Sequence, residues 1–475
     1  MNKIFLIILG ISFLFASIVD AQKQLPAEIP SHASVSFRVV DLSSGNEVWE
    51  YSSDKALSSA SLMKLVTTGT ALEILGPAHT FSTGVWTTGK IEEGVLKGDL
   101  VLEGGGDPTL GSAHFDANSP PNVLKKVSGF LKKEGIESID GAILVDETYL
   151  KGSRYPSRRL WEDMGNYYGA PPAALSWRDN SFEIELSSPA TVGALCRVEN
   201  IDPHLPGISF DCRVKAASHE KDSAYIYGVP GMATYEIRGS IPAGRSSFKI
   251  SGALPDPGLM FGSEVADLFK KHSEITVMKT NDRKWKDNAK FLGEITSPPL
   301  KTIIRATNRK SINLFADHLL IALGKRHQDM FFPEWDRGLQ IIRRYWEKRL
   351  PPHYINIKDG SGLAPMNTLS ARFLTEMLAY IYRESPYLEE YKRSLARNGH
   401  QGTLRYLWNQ NGWNGHVYGK SGYMEDVLGY AGYVTRPGQA PLAFAFLVNH
   451  HGMEASEVRK IIENLGYKVF NSRSE

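Results

Sequence analysis

The chain has 475 residues, 42% of them hydrophobic and 22% charged, which suits a globular protein of two or three domains. A net charge of +2 leaves no electrostatic footprint for nucleic acid or for a strongly acidic partner, so any cationic focusing must be local to a site. The histidines are scattered and no HExxH or CxxC spacing occurs, so no metal and no cofactor is expected.

Residues 1–21 read as a secretory leader, with Lys3, an apolar centre and the small-residue pattern Val19-Asp20-Ala21 before Gln22. The apolar run is shorter than the roughly 20 residues of a spanning helix. No cysteine stands near the cut to carry a lipid, so the expectation is an exported, periplasmic protein, with a loose membrane association left open. Residues 33–51 predict a hairpin, alternating on both sides of Ser43-Ser44-Gly45-Asn46.

Next comes Ser61-Leu62-Met63-Lys64. Leu62, Leu65, Val66, Thr70 and Ile74 repeat at helical spacing until Gly76-Pro77, so Ser61 is expected to open a helix. A serine and a lysine three positions apart share a helix face, and the hydroxyl sits at the positive end of the helix dipole. That is a nucleophile with a base beside it. The same spacing recurs at Ser52/Lys55, Ser218/Lys221 and Ser246/Lys249, in turn-like, polar or strand-like surroundings, so the pair means little alone.

Strand-like alternation resumes near Phe81. The turn Gly104-Gly105-Gly106 lacks the Lys-Ser/Thr that would complete a phosphate loop. Residues 122–134 predict an amphipathic helix and GAILVDET a buried strand. From Ser181 to Gly252 short alternating runs with Pro and Gly suggest a small all-β unit. It holds Cys196 and Cys212, which could form a disulfide in an exported chain or remain two thiols. Helical patterns follow at 311–324, 334–349 and 369–383, then strands near 428–435 and 442–449 and a terminal helix from Ala455 to about Leu465. The first hairpin is too small to bury a core. Its natural partners are the two late strands, which makes the middle of the chain an insertion.

Ser311-Ile312-Asn313 is expected to start an apolar helix, with a hydroxyl to pass a proton and an amide to hold a substrate. Lys420-Ser421-Gly422 stands just before the late strand pair, where a cation, a hydroxyl and a bare backbone could hold a terminal carboxylate. The order SxxK, SxN, K[S/T]G is the motif set of the serine penicillin-recognising enzymes. Along nearly its whole mature length the chain resembles the class C low-molecular-mass penicillin-binding proteins, the D-Ala-D-Ala carboxypeptidase/endopeptidase family. GDLVLEGGGDPTL, YYGAPPAALSWRDNSF, DGSGLAPMN and GHQGTLR carry the likeness further, as do the 250 positions between Ser61 and Ser311.

The resemblance implies an α/β fold: a transpeptidase/β-lactamase-like domain, with an antiparallel sheet flanked by helices, interrupted by two smaller domains, one largely β. The expected boundaries are 22–80 and 283–475 for the catalytic domain, 81–180 and 253–282 for one insertion, and 181–252 for the other. It also implies a serine DD-peptidase that cleaves D-Ala-D-Ala or D-Ala-diaminopimelate bonds of peptidoglycan stem peptides through an acyl-enzyme, with β-lactams as inhibitors. Carried over, Ser61 attacks, Lys64 is its base, Ser311 relays the proton and Asn313 orients the peptide. Lys64 must be neutral to act, and burial with nearby Lys420 would lower its pKa. Lys420, Ser421 and Gly422 would grip the terminal carboxylate, and the backbone N–H groups of Ser61 and Tyr423 would form the oxyanion hole. Asp146, in ILVDET, would be an acid of the insertion facing the site. Ala364-Pro365 stands where relatives have an arginine after DGSGL-Ser, which puts recognition of the third stem residue in doubt. A β-lactamase-like hydrolase is disfavoured by a serine at 311 in place of tyrosine. A peptidoglycan-binding protein without chemistry is disfavoured by the intact motif set. The sequence gives no oligomeric state, and it does not separate carboxypeptidase from endopeptidase action.

Overall fold

The structure, a computed structural model, describes residues 25–471 except 153, 270–275, 327–331 and 411. The leader expected at 1–21 lies outside the described residues. No helix among the described residues is long and apolar enough to cross a membrane.

The central sheet joins the two ends of the chain. Its six strands run in the order Glu47–Tyr51, Ser34–Asp41, Leu442–Asn449, Val427–Val434, Val417–Met424 and Ala396–Arg397. Ser34–Asp41 pairs antiparallel with Leu442–Asn449 over its whole length, from Ser34 opposite Asn449 to Asp41 opposite Leu442. The strand LAFAFLVN has no polar face because both faces are covered. Ala443, Ala445 and Leu447 point into a core with Leu62, Leu65, Leu319, Phe373 and Leu374. Phe444, Phe446 and Val448 point into another with Phe37, Trp408, Ile462 and Phe470 of the terminal helix Ala455–Asn471. Alanines on the first face let the helices approach closely, and the phenylalanines on the second supply bulk.

The intervening chain makes its own sheets. Five strands run in the order Thr276–Thr280, Ala142–Asp146, Leu100–Glu103, Ser82–Thr88 and Ala289–Thr296, and their core takes in Val123 and Val127 of the helix Pro120–Lys133 and Phe261 of the helix Pro257–Ala266. Ser181–Ala253 contributes two small sheets around a separate core of Phe182, Ile184, Ile226 and Ile237. Here Cys196 and Cys212 are free thiols. Ala289–Thr296, inside the stretch expected to belong to the catalytic part, pairs with Ser82–Thr88 of the inserted sheet. Only Leu292 and Ile295 of this edge strand are buried apolar residues, which left too little alternation to mark it.

Candidate active site

Ser61 does not open an α-helix directly. It sits in a single 3-10 turn, Ala60–Leu62, that runs into the helix Met63–Leu75, and the preceding Ala60 takes a positive φ of 42°. Gly362 presses on this turn: a β-carbon on it would lie 1.8 Å from the Ala60 carbonyl oxygen. The helix ends, as its pattern predicts, at Gly76 with φ 80°. The three other SxxK pairs have no such setting. Lys55 Nζ donates to Ser34, Lys249 pairs with Glu183 on an exposed strand, and Ser218 and Lys221 lie in a polar surface stretch.

Lys64 is fully buried, and its amine has three contacts: Ser61 Oγ at 2.9 Å, Asn313 Oδ1 at 2.5 Å and the Ser361 carbonyl at 2.7 Å. Asn313 Nδ2 donates to the Tyr168 carbonyl at 2.8 Å, which fixes the amide with its oxygen toward Lys64. A neutral amine has two N–H groups and one lone pair. Asn313 Oδ1 and the Ser361 carbonyl can only accept, so the two hydrogens go to them. The lone pair is left for the Ser61 hydroxyl. Burial lowers the Lys64 pKa from 10.5 to about 7, with Asp317 and Asp359 opposing and Arg159 assisting. Lys420, expected to be the assisting cation, is itself pushed well below the ordinary range by burial and by Lys64.

Ser311 corrects a second expectation. It is not the start of the apolar helix but the left-handed cap of the helix Leu300–Lys310, with φ 59° and ψ 38°. Asn313 is the first residue of the next helix, Asn313–Lys325. The sharp joint between these helices aims Ser311 at Lys420, whose Nζ donates to Ser311 Oγ at 2.9 Å and to the Ser421 carbonyl at 2.7 Å. The KSG element stands before the late strand pair, as expected, and lies on a strand of its own, Val417–Met424, that pairs with Val427–Val434. Gly422 is where this strand meets the Ser61 turn.

A cleft of about 1080 Å³ opens above these groups, lined by Ser61, Ser311, Asn313, Tyr423, Leu363 and Pro365 and by Leu160, Asp163, Tyr167 and Tyr225 of the inserted segments. Tyr423 is exposed at its mouth and Ser421 is half-buried on the same strand. Asp146 is not among the lining residues. It is fully buried at its strand end and accepts from Trp285 Nε1 at 3.0 Å and from the Thr148 N–H at 2.8 Å. The acids that line the cleft are Glu162, Asp163, Glu425 and Asp426. Burial and neighbouring Glu162 raise Asp163 to about 6.

The serine, two buried lysines and strand-borne glycine thus meet beside a sheet flanked by helices, the three motifs of the serine penicillin-recognising enzymes brought to one place. The family model of the D-Ala-D-Ala carboxypeptidase 3 (S13) family matches residues 18–468, and the chain belongs to that family. It is 22% identical over 457 residues to the D-alanyl-D-alanine carboxypeptidase DacB of Haemophilus influenzae, covering 93% of this chain and 91% of that protein. It is 26% identical over 434 residues to the D-alanyl-D-alanine carboxypeptidase of Actinomadura sp. (strain R39), covering 87% and 77%. The crystal structure of penicillin binding protein 4 from Haemophilus influenzae superposes with a TM-score of 0.79 at 20% identity, covering 94% of this chain and 98% of that one. A second structure of that protein holds a novel β-lactam and superposes with a TM-score of 0.74 at 21% identity, covering 93% and 96%.

Proposed function

We propose that the chain is a serine-type DD-peptidase, exported to the periplasm, that hydrolyses D-alanyl bonds in peptidoglycan stem peptides through a Ser61 acyl-enzyme and is acylated by β-lactams. The observation that carries this is the placement of the Lys64 amine, 2.9 Å from Ser61 Oγ and held by two groups that only accept, Asn313 Oδ1 and the Ser361 carbonyl. Ser61 attacks the carbonyl and passes its proton to Lys64. The Ser311 hydroxyl, bridged to Lys420, relays that same proton to the leaving amine, so Lys64 is neutral again and Ser311 keeps a hydrogen. Lys420 meets the terminal carboxylate, the charge that its burial beside Lys64 leaves it lacking. The Ser61 and Tyr423 N–H groups receive the developing oxyanion, each worth roughly 3–4 kcal/mol of transition-state stabilisation. Water then releases the acyl group.

The lining residues include four carboxylates and, among the described residues, no lysine or arginine, Lys420 lying buried behind Ser311. Leu363 and Pro365 line one wall, and Ala364-Pro365 stand where the resemblance puts an arginine able to hold a side-chain carboxylate. A stem peptide with a free side-chain amine and no free side-chain carboxylate is therefore favoured. A fluorescent penicillin is expected to label the wild-type protein covalently and to leave Ser61→Ala unlabelled. Label retained by Ser61→Ala would move the nucleophile elsewhere. Mass analysis of products from cross-linked and uncross-linked muropeptides then separates endopeptidase from carboxypeptidase action.

A further inference from the structure

A second buried charge cluster adjoins Lys64, and part of it comes from the inserted segment. Arg159 precedes the short helix Trp161–Met164, and its side chain is 2% exposed, while those of Asp317 and Asp359 are 0% exposed. Its guanidinium donates to Asp317 Oδ2, to Asp359 Oδ2 at 3.4 Å, to Ser361 Oγ at 3.1 Å and to the Gly169 carbonyl at 3.3 Å. The carboxylates are pinned by backbone as well. Asp317 Oδ1 accepts from the Gly360 N–H at 3.0 Å, and Asp359 accepts from Gly362 at 2.7 Å and Ala364 at 2.8 Å. These bonds hold the loop whose Ser361 carbonyl contacts Lys64.

The cluster holds two carboxylates, one permanent cation and one amine that must be neutral to work. Arg159 cannot lose its proton, so it is the only fixed positive charge among them. We propose that Arg159 is a positioning residue for acylation: it serves as the standing counter-ion of Asp317 and Asp359, so that neither carboxylate becomes the counter-ion of Lys64. This rests on the assignment of Ser61 and Lys64 made above. The charged and titratable groups facing Lys64 are Ser61 from its own turn, Asp317 from the Asn313 helix, Asp359 from the loop, Lys420 from the strand, and Arg159. Both acids favour the Lys64 ammonium, and Arg159 opposes it. Without Arg159 the amine is the most basic group left beside the two acids, of which burial already raises Asp317 to about 6, so a proton shared between Lys64 and these acids rests on the amine to higher pH.

The test is the rate of acylation by a fluorescent penicillin across pH 5.5–9.5 for the full-length mature protein, with cooperative unfolding checked for each variant. Arg159→Met is expected to move the acid limb up by about one pH unit, with roughly tenfold slower acylation below the wild-type midpoint and recovery at high pH. Arg159→Lys is expected to stay nearer the wild type. Asp317→Asn, with Arg159 intact, removes one of the opposing acids and is expected to move the limb down. A loss that is equal at every pH, or a limb that stays put in Arg159→Met, would overturn the proposal. If Arg159→Met does not fold, an Asp317→Asn limb that is unmoved or raised overturns it instead. Failure of the wild type to label at Ser61 would overturn the underlying assignment as well, whereas a labelled wild type with an unmoved limb counts against Arg159 alone.

Discussion

Gly422 on the Lys420 strand lies against Ser59, two residues before the nucleophile: a β-carbon at 422 would sit 2.7 Å from the Ser59 carbonyl oxygen and 3.2 Å from the Leu62 nitrogen. Both obstacles include main-chain atoms, which cannot rotate away as a side chain can. Gly422→Ala is therefore expected to push the strand off the Ser61 turn and slow acylation by about 10- to 100-fold, the scale of a 1 Å misplacement. Labelling rates against an unchanged far-UV circular dichroism spectrum would check this. A full labelling rate would show that the strand tolerates the shift.

Ser311 pits chemistry against backbone preference. Its left-handed φ of 59° costs an L-residue about 1 kcal/mol that glycine does not incur. Ser311→Gly removes the hydroxyl but suits the backbone. The expected outcome is acylation or deacylation slowed by about 100-fold or more, with a melting temperature equal to or above that of the wild type. A melting temperature that falls clearly would place the serine's importance in packing.

The free amine of Lys64 sets the pH dependence. Its pKa, brought down to about 7, makes the reactive form scarce in acid and dominant above neutrality. Acylation is expected to rise about tenfold per pH unit below the midpoint and to level off above it. A pH series of penicillin labelling at fixed ionic strength checks this. A rate independent of pH between 5.5 and 8 would mean that Lys64 is not the base.

Asp107 makes a prediction about stability alone. It is buried, its Oδ1 accepts from the Thr109 N–H and hydroxyl, and its Oδ2 has no partner among the described residues. Burial raises its pKa from 3.8 to about 7. Between those values the folded chain holds a proton that the unfolded chain has released, so its contribution to stability falls as pH rises through the window. Asp107→Asn is expected to narrow the drop in melting temperature between pH 5 and pH 8. An unchanged drop would show that the carboxyl titrates normally.

The elements with strong periodicity were legible from the residues, down to the stop at Gly76 and the pairing of the first hairpin with the late strands. So were the side chains that meet around Ser61, because SxxK, SxN and KSG are local patterns. What was not legible is what tertiary contact decides. The turn at Ser311 reads as a helix start because serine and asparagine favour caps, yet it ends one helix and begins another. Asp146 ends a strand within its own sheet, and nothing in ILVDET says which way that end faces. Arg159 sits in irregular chain with no period at all, so only packing could reveal its partners. Asp317 did leave a trace: an acid one turn after Asn313 on the largely apolar run NLFADHLLIALG needs a buried counter-charge.

The register between Ser34–Asp41 and Leu442–Asn449 also sets a timetable for maturation. A ribosome delivers the amino end first, but that strand waits for a neighbour made some 400 residues later. The inserted sheets close on partners nearer in sequence and can form in the meantime. A polypeptide truncated before Leu442 should thus hold native-like islands around an open, protease-sensitive catalytic half. The last strand to be synthesised acts as the latch.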